Sequence, residues 1–342
     1  MKVCRTLPTE QYQLDFIVSE DGGCYTQEVL DRGGRIHKIP KRTEDPFGAL
    51  NGIRRIVREN GYRYVMKLGE TPIASLDLIA ARLGGAKRLA MRSCNALTGL
   101  SRKQKCINAL LRPVLNVTAN VKLAPSMLAA EFTFGMRQAH RNVHLLHNGL
   151  DLSVFRYDEA GRYRIREEFS LADQLVVGHV GRFHEQKNHR FLLEVFRKIR
   201  DVRQDAVLLL VGTGNLESAI RQQAEELGLT EAVIFAGQRF DIPQLLSAMD
   251  VFVFPSFHEG MPNTVIEAQA AGLPCVIADT ITPEANITGL VTYLSLAEAP
   301  EHWAEKALAV KEQERRNTAP DFLAHGYDIE SVAKELVNLI CC

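Results

Sequence analysis

The sequence predicts an α/β protein built from two doubly wound parallel sheets that face a cleft. Short β-rich runs alternate with amphipathic helical stretches along the chain, which is typical of parallel sheets with helices on both faces. The length of 342 residues is large for one hydrophobic core and suits two domains. Since doubly wound sheets bind ligands at the carboxyl ends of their strands, two of them favour a cleft with one substrate on each side.

The individual elements follow from the hydrophobic period of each segment and from the turn residues around it. In the first half, strands are predicted at 13–18, 35–39, 64–67, 88–91, 117–123 and 143–146, and helices near 24–32, 47–60, 72–83, 102–115 and 126–135. In the second half, strands are predicted at 174–180, 206–211, 232–236, 251–254 and 275–278, and helices at 188–200, 216–227, 242–248 and 263–271.

The domain boundary is predicted in the polar, aromatic-poor stretch 151–173, which is the best candidate for a linker. We therefore expect a first domain over residues 1–155 and a second over residues 156–325. The remaining residues, 326–342, are predicted to form a helix that packs back toward the first domain.

Composition excludes several classes of function. The 41 basic and 41 acidic side chains give a formal net charge of +0, so no global field recruits nucleic acid. The seven cysteines are scattered and odd in number, which indicates reduced thiols in a cytoplasmic protein. No apolar run approaches the roughly 18 residues of a membrane span, and the N-terminus lacks a signal-peptide core.

One basic segment stands out from this balanced charge. The stretch from Arg102 to Arg112 also carries Lys103 and Lys105 among apolar residues and contains no acid. A solvated helix face is one interpretation. The other is a surface that contacts anionic lipid or a lipid-diphosphate acceptor.

The first chemical motif is the segment GRFHEQKN, which follows the strand predicted at 174–180. The strand ends at Gly181, where the absent Cβ lets a ligand approach the backbone. Arg182 and Lys187 lie in the turn before a helix that Asn188 can cap. Two cations beside a helix N-terminus suit a diphosphate, although a surface turn with incidental charges has the same composition.

The second motif is FPSFHEGMPNTVIEAQAAGLP. A buried strand is followed by a loop that contains Glu259 and Gly260, and a small-residue helix then begins at Asn263 or Thr264. Its first N–H groups offer a second anion site. Glu267 lies in the first turns of that helix, and carboxylates accept hydrogen bonds from sugar hydroxyls. Dipole compensation explains an acid at Glu267 but not a second glutamate in the loop.

Two other enzyme classes fit less well. Gly212-Thr213-Gly214 follows a strand and precedes a helix, as in dinucleotide-binding dehydrogenases, but Glu217 replaces the third glycine of that fingerprint. His184 and His189 are one residue too far apart for two zinc ligands on one helical face.

With these motifs in place, the segment 180–274 closely resembles the C-terminal domain of family 4 retaining glycosyltransferases. Three signatures agree in order and spacing: GRFHEQKN, LLLVGTGNLES and HEGMPNTVIEAQAAGLP. The segment HNGLD before the predicted linker also resembles a family motif, so the likeness covers nearly the whole chain. It implies the GT-B fold, in which two Rossmann-like domains face a cleft, the first on the acceptor side and the second binding the nucleotide sugar. The bacterial branch that builds capsule, exopolysaccharide or O-antigen is the most similar.

The resemblance also implies roles for individual residues. Arg182 and Lys187 would hold the donor diphosphate and stabilise the departing nucleotide, and Glu259 would contact the donor sugar. Glu267 would bind the ribose, and backbone groups at Gln238 and Arg239 would read the base. The other donor-binding positions are Gly181, Gly212, Gly260, Met261, Pro262, Asn263 and Thr264. Asp241 is interpreted as the cap of the next helix.

Family members transfer a hexose with retention of configuration, and the leaving phosphate helps to deprotonate the acceptor. A UDP-sugar donor is favoured over GDP- or ADP-sugars by analogy. The absence of an Asp-x-Asp element predicts no obligatory metal or other cofactor. The expected acceptor is a glycan or a lipid-linked glycan, with peripheral contact at the inner face of the cytoplasmic membrane. A nucleotide-sugar epimerase of the same fold should lack the two-glutamate spacing.

Two departures from the family pattern concern the first domain. Relatives open with a hydrophobic strand and a glycine-rich loop, whereas residues 1–11 are interpreted as the end of the first helix. We expect the natural start to lie upstream by roughly a strand, a loop and half a helix. The alternative is an N-terminally truncated, impaired relative that serves as a partner protein or is a gene remnant.

The second departure follows the strand predicted at 88–91. Many relatives have His-Ser-His-Asn where this sequence has Arg92-Ser93-Cys94-Asn95. Cys94 is interpreted as a small buried thiol and not as a nucleophile. The residues expected on the acceptor side are Glu70, Arg92, Cys94 and Asn95.

Overall fold

The computed structural model describes residues 1–20, 23, 25–94, 100–311 and 315–341. They form two compact units. The first comprises Met1–Gly149 together with the C-terminal segment from Tyr327 onward, and the second comprises Leu150–Gly326. The division thus falls before the short helix at Leu152–Phe155, which the predicted boundary places in the first domain.

Strands and helices alternate along most of the chain. The strands are β1 (Phe16–Val18), β2 (Ile36–Lys38), β3 (Tyr64–Gly69), β4 (Arg88–Ser93), β5 (Val121–Ala124), β6 (His144–Leu145), β7 (Val176–Val180), β8 (Val207–Val211), β9 (Val233–Gly237), β10 (Val251–Phe254), β11 (Cys275–Ala278) and β12 (Val291–Leu294). The helices are α1 (Lys2–Thr6), α2 (Thr26–Asp31), α3 (Pro46–Asn60), α4 (Ser75–Gly84), α5 (Arg102–Thr118), α6 (Met127–Phe134), α7 (Met136–Asn142), α8 (Leu152–Phe155), α9 (Glu159–Glu168), α10 (His189–Val202), α11 (Glu217–Glu226), α12 (Ile242–Ala248), α13 (Asn263–Ala270), α14 (Pro300–Val310), α15 (Ala319–Ala324) and α16 (Ile329–Cys341).

The second unit contains a six-stranded parallel sheet in the order β12-β11-β10-β7-β8-β9. Strands β7, β8, β10 and β11 are buried along their whole length, because helices cover both faces of a parallel sheet. The order reverses between β7 and β10, so the loops after these two strands meet at a switch point of the topology.

The first unit contains a two-stranded parallel sheet, β1-β2, and a four-stranded parallel sheet, β3-β4-β5-β6. Helix α16 returns to this unit, where Val332 and Leu336 share a hydrophobic cluster with Ala90 and Leu123. The prediction of two parallel, Rossmann-like α/β domains is therefore confirmed. None of the helices in the described part of the chain is both long and apolar enough to cross a bilayer.

The strand predicted at 117–123 is wrong at its start. Helix α5 continues to Thr118 and encloses Pro113, and the strand begins only at Val121. The Thr118 hydroxyl donates a hydrogen bond to the carbonyl of Val114 at 2.8 Å, which ties the β-branched residue into the last helical turn.

The polar stretch 151–173 is not a linker without structure of its own. It forms α8 and α9, and the guanidinium groups of Arg162 and Arg166 donate to opposite oxygens of the Asp250 carboxylate at 2.8 and 2.7 Å. Because these cations are paired with an acid more than 80 residues away, composition alone could not show that the helix packs into the second unit.

Candidate functional site

The candidate site begins where β7 leaves the sheet. The backbone N–H of Gly181 donates to the carbonyl of Val211, at the end of β8, at 2.9 Å. A Cβ added at Gly181 would lie 3.0 Å from Nε2 of His179 and 3.3 Å from the side-chain carbons of Lys187. The glycine therefore leaves the space in which the Lys187 side chain crosses the end of the strand.

Two glycines after β8 let the neighbouring loop approach this turn. Gly212 has a φ of +136°, and a Cβ there would lie 2.2 Å from the carbonyl oxygen of Gly181. A Cβ at Gly214 would lie 2.3 Å from the carbonyl oxygen of Phe183. These glycines permit backbone-to-backbone packing between the two loops. The packing accounts for the Gly-Thr-Gly segment that gave the weak dehydrogenase signal.

Lys187 and Glu259 form the charged centre of the site. Lys187 Nζ donates to Oε1 of Glu259 at 2.7 Å, and only 17% and 10% of the two side chains are exposed. The ammonium also lies 4.6 Å from the ring centroid of Phe254, where a cation is attracted to the aromatic face. This ion pair joins the loop after β7 to the loop after β10, and the two side-chain charges balance each other.

Two uncharged side chains hold the same carboxylate oxygen. Gln186 Nε2 donates to Glu259 Oε1 at 3.2 Å and to the carbonyl of His258 at 2.7 Å. The hydroxyl of Ser256, which is fully buried, lies 2.8 Å from both Glu259 Oε1 and the carbonyl of Gln186. No hydrogen bond from another described residue reaches Glu259 Oε2, so that oxygen is available to a ligand.

Beneath the turn lie two neutral histidines. His179 Nδ1 donates to the carbonyl of Val253 at 2.9 Å, and the His179 and His189 ring centroids are 4.7 Å apart. Burial lowers the pKa of His179 well below its usual value. Burial, followed by the Lys187 charge, lowers the pKa of His189 to about 4. Both imidazoles are therefore uncharged at neutral pH. The His189 ring stacks on Phe183, and the His179 ring stacks on Phe252 and Phe254.

Helix α13 carries the second predicted anion site and Glu267. It begins at Asn263 after Pro262, and Glu267 is half-buried one turn into the helix. Farther along, the fully buried amide of Gln269 donates to the carbonyl of Ala285 at 2.7 Å and accepts from the N–H of Ile287 at 3.0 Å. This anchoring fixes the position of the helix N-terminus relative to the β10 loop.

In the segment after β9, the side chains of Arg239 and Asp241 bind each other, which the sequence did not predict. The Arg239 guanidinium forms paired hydrogen bonds with Glu168 at 2.5 and 2.9 Å and with Asp241 at 2.8 and 2.7 Å. Asp241 does precede α12, but its carboxylate makes no cap hydrogen bond because it is engaged by Arg239. The Arg239 side chain is thus held by acids, and the role predicted for this segment stays with its backbone groups.

The prediction that the Asn188 side chain caps the next helix is also wrong. Asn188 occupies the residue before α10, yet its side chain makes no cap hydrogen bond. Its φ of +53° puts the backbone in the left-handed region, which asparagine tolerates better than most residues. The residue therefore serves as the bend between the Gly181–Lys187 turn and the helix.

Comparison with known proteins decides the family. Residues 174–313 match the family model described as glycosyl transferases group 1. EpsF of Bacillus subtilis (strain 168), a protein assigned as a glycosyltransferase, is 33% identical over 349 residues, covering 99% of this chain and 91% of EpsF. The chain belongs to the group 1 glycosyltransferases. The prediction of a retaining family 4 hexosyltransferase is confirmed.

Other relatives agree with this assignment. A UDP-Gal:alpha-D-GlcNAc-diphosphoundecaprenol alpha-1,3-galactosyltransferase of Escherichia coli is 24% identical over 298 residues, covering 80% of this chain and 73% of that enzyme. The crystal structure of Anabaena HepE in complex with UDP matches with a TM-score of 0.79 at 18% identity, covering 99% of this chain and 95% of HepE. At that identity the match concerns the fold, and it confirms the GT-B architecture.

In the first unit of this glycosyltransferase, the predicted acceptor-side residues lie at the ends of neighbouring strands. Gly69 and Ser93 are paired across β3 and β4, so Glu70 and Cys94 follow at the same sheet edge. Cys94 is exposed and not the buried thiol of the prediction, because it lies just past the last residue of β4. Asn95 lies outside the described residues.

The Arg92 guanidinium is held by hydrogen bonds within the same unit. One of its terminal nitrogens donates to Asn148 Oδ1 at 2.8 Å and to the carbonyls of Leu146 and His147 at 3.3 and 3.2 Å. Burial lowers the pKa of this guanidinium. Arg92 therefore ties the end of β4 to the segment after β6, and a direct contact with substrate stays a prediction.

The residues that sequence reasoning missed are Gln186, Ser256 and Gln269. All three lie inside the recognised motifs. A polar residue among mainly apolar neighbours was the available signal for Ser256 and Gln269, whereas Gln186 lies in a polar run and gave no such signal. Their partners, however, lie up to about 70 positions away, and no local spacing shows such pairs.

Proposed function

We propose that this glycosyltransferase transfers a hexose from a UDP-sugar to a lipid-linked glycan during cell-surface polysaccharide synthesis, with retention of configuration. The observation that carries the proposal is the Lys187–Glu259 pair beside Gly181 at the switch point of the second sheet. A carboxylate with one oxygen bonded and one available suits a sugar hydroxyl, and the adjacent ammonium suits a phosphate.

The same geometry accounts for stabilisation of the leaving group. Lys187 is held in place before the donor binds, so little reorganisation is needed when negative charge develops on the departing UDP. Arg182, in the same turn, adds a second cation, and the N-terminus of α13 adds backbone donors. Glu259 keeps Lys187 oriented while its Oε2 contacts the transferred sugar.

Two relatives support the choice of substrates. The Escherichia coli relative is named for UDP-galactose and a diphosphoundecaprenol-linked acceptor, and HepE shares the fold and was crystallised with UDP-glucose. By analogy, UDP-sugars are the first donors to test, and GDP- and ADP-sugars serve as comparisons.

The direct test is a transfer assay. Purified protein is incubated with a short-chain polyprenyl-diphosphate sugar and, in turn, UDP-glucose, UDP-galactose, UDP-N-acetylglucosamine, GDP-mannose and ADP-glucose. We expect acceptor-dependent UDP release with one UDP-sugar and an α-linked product by NMR. Release that does not depend on the acceptor would contradict the proposed acceptor class. Absence of release with every donor would favour the impaired partner protein instead.

Helix α5 supports contact with the membrane that holds such an acceptor. Leu110 and Val117 are 75% and 81% exposed, and with Val114 they lie on one helical face. Arg102 and Lys103 form the first turn of the same helix. An apolar stripe with a basic end is typical of helices that lie on anionic lipid.

Vesicle sedimentation tests this surface. We expect binding to phosphatidylglycerol vesicles that weakens with salt and is lost in the double variant Leu110→Glu/Val117→Glu. Phe47→Glu, which changes an apolar residue of α3 that is 80% exposed, is the matched control and should bind as the unmodified protein does. Equal binding by both variants would show that α5 is a solvated face.

A further inference from the structure

A charged cluster in the first unit takes no part in the proposed donor site. The Asp77 carboxylate accepts a hydrogen bond from Arg42 through one oxygen and pairs with Lys67 Nζ through the other, the latter at 2.8 Å. Only 8% of the Asp77 side chain is exposed, compared with 28% for Arg42 and 39% for Lys67. Two cations that solvent can reach are therefore held by one buried acid.

The cluster lies near the carboxyl ends of two strands of the first unit. Arg42 follows β2, and Lys67 lies in the second half of β3. Lys67 is also within electrostatic range of Cys94, the residue after β4. Glu70 and Cys94 are predicted to lie on the acceptor side at this same edge, and ligands of parallel α/β sheets bind at the carboxyl ends of the strands.

The positive charge of the cluster exceeds its negative charge. Among the described residues, no second acid forms an ion pair with Arg42 or Lys67. An ammonium and a guanidinium carry more N–H donors than one carboxylate can accept, and Nε of Arg42 has no hydrogen-bond partner in the described part of the chain. Burial lowers the pKa of Lys67, and the neighbouring charge of Arg42 lowers it further. An added anion would relieve this repulsion and use the remaining donors.

A purely structural role explains only part of this arrangement. Asp77 lies in the first turn of α4, where an acid compensates the positive end of the helix dipole. Cations near the same end of a helix are unfavourable for that dipole. One cation offsets the cost of burying Asp77, but the second adds a charge that the buried acid does not need. The second cation therefore indicates an anionic ligand.

We propose that Arg42 and Lys67 bind the diphosphate group of the acceptor and so select acceptors in which a diphosphate links the sugar to a lipid. The inference rests on the proposed function, which supplies the lipid-linked class of acceptor. A diphosphate has acceptor oxygens for both cations, and Asp77 keeps the two side chains in place. A neutral glycoside presents the sugar without this group and gains nothing from the two cations.

Calorimetry on the full chain tests the site without requiring transfer. Geranyl diphosphate is the probe and geraniol the uncharged comparison, both in saturating UDP so that the proposed donor site is occupied. We expect saturable binding of geranyl diphosphate alone, which weakens about 10- to 100-fold in Lys67→Gln and in Arg42→Gln through the loss of charge-assisted hydrogen bonds. Asp77 keeps one cation in either single variant, so the fold should be retained.

Two further variants control the binding measurement. Lys67→Arg keeps the charge and should retain the binding. Lys87→Gln, at an exposed position before β4 and so at the opposite end of the strands, is the matched control and should bind the probe as the unmodified protein does. Equal binding of geraniol and geranyl diphosphate would overturn the proposal, as would equal weakening in Lys87→Gln and Lys67→Gln.

A transfer assay separates this inference from the proposed function. The same sugar is presented as a polyprenyl diphosphate and as a neutral octyl glycoside, and the unmodified protein should have at least about tenfold lower KM for the diphosphate. K67Q and R42Q should lose most of this ratio, whereas general damage to the fold would impair both acceptors alike. A ratio retained in both variants would overturn the site. Absence of transfer to either acceptor would contradict the proposed function, and calorimetry would still decide the diphosphate site.

Discussion

The Lys187 ammonium lies 2.7 Å from Oε1 of Glu259, although 72 positions separate the two residues in the sequence. Gln186 and Ser256 bond to the same oxygen, so four side chains from two loops form one unit. Each loop therefore helps to place the other, and loss of one member should disturb the rest.

Removal of Lys187 is expected to affect both catalysis and stability. Lys187→Ala leaves the Glu259 carboxylate largely buried without its cation, which costs stability, and removes the cation that we propose stabilises the departing nucleotide. We expect the rate of UDP release to fall about 10²–10³-fold, with a lower Tm. Lys198→Ala is the control, because the Lys198–Glu301 pair is exposed and such pairs contribute little. An unchanged rate in Lys187→Ala would rule out its role in catalysis.

Arg182 should affect ligand binding without affecting the unliganded fold. No hydrogen bond or ion pair from a described residue reaches its side chain, so Arg182→Ala should leave the Tm of the free protein unchanged. The affinity for UDP should fall about 10- to 100-fold through lost charge-assisted hydrogen bonds, and the UDP-induced rise in Tm should shrink accordingly. Arg190→Ala, at an exposed position of α10, should show the full UDP-induced rise.

Glu267 should determine recognition of the ribose. The unmodified protein is expected to bind UDP at least about tenfold more tightly than 2′,3′-dideoxy-UDP, because we propose that the carboxylate accepts hydrogen bonds from ribose hydroxyls. In Glu267→Ala the two ligands should bind equally, which calorimetry can measure. Glu305→Ala, on the exposed side of α14, should retain the discrimination. If Glu267→Ala still distinguishes the two ligands, the ribose contact lies elsewhere.

The buried histidines predict a loss of stability in mild acid. The pKa of His189 is lowered in the folded protein to about 4, whereas an unfolded histidine titrates at about 6.5. Below that value the unfolded chain binds a proton that the folded chain does not. The free energy of unfolding is therefore highest above about pH 6.5 and falls as the pH decreases toward about 4.

Urea unfolding between pH 7 and pH 4.5 checks this dependence. The slope of unfolding free energy against pH should become shallower in His189→Phe, because a titrating group is removed while the aromatic packing is kept. His325→Gln, at an exposed position, should keep the slope of the unmodified protein. A slope that is unaffected by His189→Phe would mean that another group causes the acid sensitivity.

Much of the fold was predictable because its signals are local. Strands β10 and β11 were predicted to the residue, since short apolar runs between turn residues indicate buried strands. Helix α12 was also predicted with its exact bounds. The motif segments also located the loops after β7 and β10, because glycines, cations and helix starts occur at fixed spacing along the chain.

Other features depended on contacts and backbone geometry that residue type alone does not show. The segment 151–173 has the composition of a linker, but the pairing of Arg162 and Arg166 with Asp250 makes its helix part of the second unit. Asp241 and Asn188 are residue types that commonly cap helices. The Asp241 carboxylate instead binds the Arg239 guanidinium, and Asn188 adopts a left-handed backbone conformation. Only the first of these differences comes from a contact between distant residues, because Arg239 lies two positions from Asp241 and the change at Asn188 lies in its own backbone.

The sequence by itself determined the fold class, the family and the residues of the loops that we propose bind the donor, because hydrophobic period and motif spacing are properties of neighbouring residues. Only the tertiary structure decided that Lys187, Gln186 and Ser256 converge on one oxygen of Glu259. It also decided that Arg42 and Lys67 share the carboxylate of Asp77. Such relationships arise when the sheet brings distant strand ends together, and the packing of the whole unit sets the distances between them.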